Sequence, residues 1–153
     1  MTTFRQATKA DLFSIIALLG DDDIARAREG FQAEVTAQTR EAFEEIAADP
    51  NNELWVGELD GKVIATLQLT LIPGLSRGGM KRALVEAVRV HTDHRSQGIG
   101  ELFMNAVMER ARERGCGLIQ LTCDTRRTAA HRFYARLGFE PSHVGMKKKL
   151  EPR

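Results

Sequence analysis

At 153 residues with 42% hydrophobic content, the chain has the length of one ordinary domain and enough apolar material for a core, so a single domain over residues 1–153 is expected. Its 22 basic and 21 acidic residues leave a net charge of +1, with 6% aromatics, which disfavours nucleic acid and anionic membranes as partners and requires any anion to be bound locally. The N-terminus lacks a basic segment followed by an apolar core, no apolar run is long enough to span a bilayer, and Cys116 and Cys123 have neither zinc nor redox spacing, which together indicate a reduced, cytoplasmic protein.

In chain order, TFRQA (3–7) reads as a short strand. Thr8, followed three residues later by Asp11, resembles a capping pair with the acid in place of Glu, and predicts a helix to about Leu19. Residues 20–31, GDDDIARAREGF, form a polar, charged interruption, and TAQTREAFEEIAAD (36–49) is a second helix stopped by Pro50. Across 52–72, β-branched and alternating residues flank Asp60-Gly61, the dipeptide of a tight hairpin turn. PGLSRGGMKR (73–82) is a basic, glycine-rich loop, and ALVEAVRVH (83–91) is another strand.

From Gly98, the apolar positions Ile99, Leu102, Phe103, Ala106, Val107 and Ala111 follow the spacing of a helix face that ends near Gly115. GLIQLTC (117–123) is a continuous apolar strand expected to be buried on both faces. TAAHRFYARLGF (128–139) gives a last helix, with Ala130, Phe133, Tyr134 and Leu137 on one stripe and Gly138 as its stop. HVGMKKKL (143–150) reads as an edge strand whose lysines discourage further pairing. The order β-α-α-β-β-β-α-β-α-β describes an α/β mixed sheet of α+β type, with a parallel pair where two strands flank the Gly98 helix.

The stretch RSQGIGELF (95–103) places poor helix formers where a helix begins. The first amides of a helix have no intrahelical acceptor and carry partial positive charge, and bare glycines let an anion approach them. Arg95 can add a charge-assisted bond to the same anion. No Lys-Ser or Lys-Thr follows the glycines and no third glycine completes a dinucleotide fingerprint, so a phosphate site of another type remains, beside the plainer reading of a strand-to-helix turn. Glu101, in the first helical turn, is expected to face solvent.

VEAVRVHTDHRSQGIG resembles motif A of the GNAT superfamily, the acetyl-CoA-dependent N-acetyltransferases, and AAHRFYARLGF resembles its motif B; they occur in the family's order with a strand between them. The resemblance covers essentially the whole chain and implies the GNAT-like acyltransferase fold, acetyl-CoA as co-substrate and no metal. It implies that Arg95, Ser96, Gln97, Gly98, Ile99 and Gly100 wrap the pyrophosphate of CoA, and that the backbone of Val88, Arg89 and Val90 pairs with the pantetheine arm. Tyr134 stands at the position of the family's general acid toward the CoA sulfur, and Glu86 at that of a general base acting through water on the amine.

Beside these roles stand plainer ones. Tyr134 can simply fill the apolar stripe with Phe133. Glu86 shares a strand face with Leu84, Val88 and Val90, where burial would raise its pKa toward a useful range, or it sits at the wet end of the strand paired with Arg82 or Arg89. Arg127 occupies the spot of the family's usual pantetheine-holding asparagine; it either reaches a cofactor phosphate or lies exposed before a cap at Thr128. His91, Asp93 and His94 have a metal-like spacing but read as a solvated loop. Asp21 to Asp23 suit a cationic amine or are simply solvated, whereas Arg77, Lys81 and Arg82 suit an acceptor bearing a carboxylate, and the sequence does not choose between them. The activity implied is acetyl transfer in a ternary complex to a primary amine of a small molecule or a protein, with a non-catalytic acyl-CoA-binding regulatory module as the alternative and a homodimer as a possible state.

Overall fold

The computed structural model describes residues 1–22, 24, 27 and 34–153; Asp23 and most of the charged interruption lie outside the described residues. The chain forms two compact units, Met1–Leu121 and Thr122–Arg153. The first holds a five-stranded sheet in the order β1 (Thr2–Gln6), β2 (Asn52–Leu59), β3 (Lys62–Ile72), β4 (Lys81–Val90) and β5 (Cys116–Leu121). Neighbours pair antiparallel except β4 and β5, which are parallel.

Among the described residues, three helices of eight residues or more accompany the sheet: α1 (Leu12–Leu19), α2 (Ala37–Ala48) and α3 (Ile99–Glu113). The α1 entry follows the capping pair, for the Asp11 carboxylate accepts the Thr8 N–H at 2.7 Å. Asp60 and Gly61 adopt φ of 51° and 77°, the left-handed pair that closes a two-residue hairpin without splaying its strands. Phe4 of β1 stacks on Phe103 of α3 with centroids 4.8 Å apart, which marks one sheet face as the α3 side. The opposite face carries α1 and α2, fastened where Arg5 of β1 bonds Asp11 at 2.7 Å. Between these layers Val56, Leu67, Leu69, Val85 and Phe103 are fully buried, a core made by the period-two strands and one stripe of α3.

The second unit contains α4 (Thr128–Arg136). Gly138, at φ 91°, ends it in the left-handed conformation that L side chains resist.

Three expectations are corrected. Residues 143–150 form no strand, so the order ends β-α rather than β-α-β; Gly145 and three successive lysines are poor strand formers, and Val144, Met146 and Leu150 are more than four-fifths exposed. The β5 strand is half-buried, not enclosed on both faces, because it is the sheet's edge. On α3, Leu102 is 57% exposed and Met104 fully buried, since the buried arc runs from Ile99 through Phe103 and Val107 to Ala111 and Met104, leaving Leu102 off its other side.

Candidate active site

The site is built on the far end of β4. Its ladder with β5 stops at Val85↔Leu121, while β4 continues to Val90. On its other side the pairing with β3 slips between Thr66/Gln68, and Ala87 takes a φ of 55°. This is a bulge: one extra residue in β4, strained because alanine carries a Cβ. Val88, Arg89 and Val90 thus extend beyond the last β5 partner. Val88 keeps its carbonyl bonded by Arg89 Nη1 at 2.9 Å.

The bulge also reassigns Glu86. Its partner across the ladder is Gln68, and that of Arg89 is Thr66; Gln68 and Thr66 are two apart on β3, so Glu86 and Arg89 share a face. The simple alternation that grouped Glu86 with Val88 and Val90 breaks at Ala87, and Val90 lies opposite Ala65 on the α3 side. Glu86 is exposed, so the apolar burial expected of it is absent. Neither expected partner holds it: Arg82 Nη1 donates to Gln120 at 3.0 Å, and Arg89 Nε lies 3.1 Å from Asp22, both side chains nearly buried. Gln68, beside Glu86, lines a cleft of about 240 Å³ with Ala42, Glu45, Ile46, Asp49 and Asn52.

After β4, Thr92–His94 make a short 3-10 turn, and Arg95–Gly98 are exposed. Ser96 and Gly98 have φ of 61° and 80°. Gly98 caps α3, and the space where its Cβ would stand is open to 4 Å. The first helical bond runs from Leu102 N–H to Gly98 O at 3.1 Å, which leaves the amides of Ile99, Gly100 and Glu101 without an acceptor inside the helix. An exposed helix start with a glycine-defined approach fits a phosphate group, and Glu101 is exposed as expected. Arg95 turns its guanidinium to the protein: Nε donates to Val90 O at 2.9 Å and Nη2 to Asp21 O at 2.8 Å.

In the second unit, Tyr134 is half-buried between the rings of Phe133 and Phe139, with centroids 5.1 Å and 5.7 Å away. Arg127, not Thr128, is the cap of α4, and its N–H donates to Asp124 O at 2.9 Å. Arg126 is occupied by the Asp124 carboxylate at 2.8 Å. Cys116 and Cys123 are free thiols, each pushed up from its ordinary pKa by burial. Among the described residues, no three His, Cys, Asp or Glu side chains are grouped to hold a metal, and no helix is long and apolar enough to cross a membrane.

The model of the acetyltransferase (GNAT) family matches residues 22–139, a span holding both the bulged strand with its glycine turn and the Tyr134 helix. The chain belongs to the GNAT acetyltransferase family. It is 30% identical to the aminoalkylphosphonate N-acetyltransferase of Salmonella typhimurium over 146 residues, 95% of this chain and 90% of that protein. A crystal structure of a transcriptional regulator from Bacillus halodurans C-125 superimposes with a TM-score of 0.93 at 43% identity, covering 98% of this chain and 100% of that one. The fold, though at 17% identity only the fold, is also that of AAC(6')-Iy in complex with the bisubstrate analog CoA-S-monomethyl-acetylneamine, with a TM-score of 0.79 over 99% of each chain.

For this GNAT chain, sequence reasoning overlooked Glu53 and misread the acids after α1. Glu53 is 4% exposed and accepts from Trp55 Nε1 at 3.0 Å, Arg110 Nη2 at 2.7 Å and Arg114 Nη1 at 2.7 Å. Burial alone would raise its pKa, but the bonds from Arg110 and Trp55 and the charges of Arg110 and Arg114 hold it below the ordinary range. Its signal was faint: an acid inside a strand pattern, with two arginines four apart on a helix. Asp21 and Asp22 are not an open cation receptor, for the structure commits them to Thr92, Arg95 and Arg89.

Proposed function

We propose that the protein transfers the acetyl group of acetyl-CoA directly to a primary amine of a small molecule or a protein, in a complex that holds both substrates. Family membership carries this reading, and the exposed glycine turn at the start of α3 supports the placement of the cofactor. In it, Ser96, Gln97, Gly98, Ile99 and Gly100 offer backbone amides to the pyrophosphate. Arg95 shapes the turn, and Arg127 answers a cofactor phosphate. Val88 to Val90, past the last β5 partner, lie alongside the pantetheine arm as a neighbouring strand would.

Two side chains serve the chemistry. As the amine nitrogen bonds to the acetyl carbon and the carbon–sulfur bond breaks, the Tyr134 phenol gives its proton to the departing sulfur. Glu86, exposed beside the Gln68 cleft, takes the amine proton through water. The whole chain acts as one acetyltransferase domain in the cytoplasm. The exposed apolar side chains of Val144, Met146 and Leu150 support a homodimer.

One observation favours a second reading. The Bacillus halodurans neighbour, at 43% identity, is described as a transcriptional regulator, which suits a non-catalytic acyl-CoA-binding module. Thiol release from acetyl-CoA separates the two, measured with aminoalkylphosphonates, amino acids, polyamines and a peptide as acceptors. Turnover on one of them, lowered about 100-fold in kcat by Tyr134→Phe and about tenfold by Glu86→Gln, is the expected result. Tight CoA binding with no turnover on any amine establishes the module.

A further inference from the structure

We propose that Asp21, at the end of α1, is the positioning residue of the phosphate-binding turn, setting the conformation of Thr92–Gly98 before CoA arrives. The inference rests on the reading of that turn as the pyrophosphate cradle.

The turn has little to hold its shape. It is exposed from Arg95 to Gly98, and it contains Ser96 at φ 61°, a left-handed conformation that a residue with a Cβ keeps only when its surroundings impose it. Most of its own bonds are local: His94 N to His91 O at 2.9 Å, Asp93 N to His91 Nδ1 at 3.1 Å, Gln97 Nε2 to Asp93 O at 3.2 Å and Arg95 Nε to Val90 O at 2.9 Å. Each of these four bonds reaches no further than five residues along the chain.

The remaining ties come from Asp21. Its carboxylate accepts both the Thr92 N–H at 3.0 Å and the Thr92 hydroxyl at 2.7 Å, and its backbone carbonyl accepts Arg95 Nη2 at 2.8 Å. These span 71 and 74 residues of sequence, and among the described residues they are the hydrogen bonds joining Thr92–Gly98 to a distant part of the chain. The Asp21 carboxyl titrates below its ordinary range, chiefly through the Thr92 hydroxyl, so it is ionised at neutral pH.

One residue thereby grips the turn at both sides of its 3-10 segment, and Arg95, whose charge would otherwise go to an incoming phosphate, is part of the grip. A ligand that binds only the gripped form has its apparent Kd raised by the inverse of that form's population. Loss of the carboxylate's two bonds to Thr92, with the backbone carbonyl's bond to Arg95 kept, should therefore weaken CoA capture while leaving turnover intact once acetyl-CoA is saturating.

The test is calorimetric CoA affinity together with steady-state kinetics on Asp21→Ala, Asp21→Asn and Thr92→Val. A turn competent about one-tenth of the time gives Asp21→Ala a CoA Kd and an acetyl-CoA KM raised about tenfold, with kcat at saturation and the acceptor KM within about twofold. Asp21→Asn, which keeps one acceptor oxygen, falls between it and the wild type. Asp21→Ala and Thr92→Val should be non-additive, since each removes the same bond. If Gly98→Val loses CoA affinity while Asp21→Ala and Thr92→Val keep the wild-type Kd, the positioning role is overturned and the cradle stands. If Gly98→Val also leaves the Kd unchanged, the cradle itself fails. Should Asp21→Ala not fold, Thr92→Val decides alone by the same criterion.

Discussion

Two carboxylates from elsewhere in the first unit hold the surroundings of α3, Glu53 at its last turns and Asp21 at the turn leading into it through Thr92, and they hold them differently. At its C-terminal end Glu53, 4% exposed, takes charged bonds from Arg110 and Arg114 together with one from Trp55. At its N-terminal end the side chain of Asp21 is 25% exposed, and that of Arg95 44%. The first arrangement is dry and satisfied within the protein. The second holds a loop still while keeping the amides of Ile99, Gly100 and Glu101 turned toward whatever arrives.

The largest effect should come from the dry end. Glu53→Ala leaves two arginines facing a buried gap and should cost about 3–5 kcal/mol of fold stability, read by denaturant melts. Glu53 has a folded-state pKa below its ordinary value, and so has Asp11, mainly through the Arg5 bond. Their stabilisation is therefore complete above about pH 5 and is lost as pH falls through the folded values. Melting temperature should stay level from neutral pH to about 5 and then drop. Glu53→Gln should shallow that acid limb, and an unchanged limb would show that other carboxylates govern it.

At the wet end the ranking of effects reverses, because ligand affinity rather than folding is at stake. Gly98→Val forces a Cβ into a left-handed position, at about 1–2 kcal/mol of stability, and puts a branched side chain in the open approach to the amides. CoA affinity should fall by about 30-fold or more, about 2 kcal/mol, so the loss in binding exceeds the loss in folding. Parallel calorimetry and melts check the order, and equal losses would mean that Gly98 serves only the turn. The smallest change expected at this end is that of Asp21→Ala, about tenfold in Kd with little change in melting temperature.

What the sequence disclosed followed the strength of its local signals. Asp60-Gly61, the Thr8–Asp11 pair and the apolar stripe of α3 act through neighbours a few residues away, and each appears where its chemistry requires, save that Met104 takes the buried place expected of Leu102. Glu53 and Asp21 were illegible because their meaning depends on partners about sixty and seventy residues distant. The bulge at Ala87 carries no glycine to announce it, and it overturned the face assigned to Glu86. Residues 143–150 alternate like a strand, but a ladder needs a partner as well as a pattern. Both family motifs were readable, since each condenses a turn or a helix stop into a dozen residues.

The early end of the β4–β5 ladder has a further consequence. Past Val85 and Leu121, β4 presents main-chain atoms, and main-chain atoms are the same whatever side chains a lineage puts on that strand. Under the proposed reading, the grip on the cofactor's arm is written in geometry rather than in residue identity. Substitutions at Val88 and Val90 can then retune the acceptor without disturbing the donor, so relatives can come to differ in which amines they serve while sharing one acetyl source.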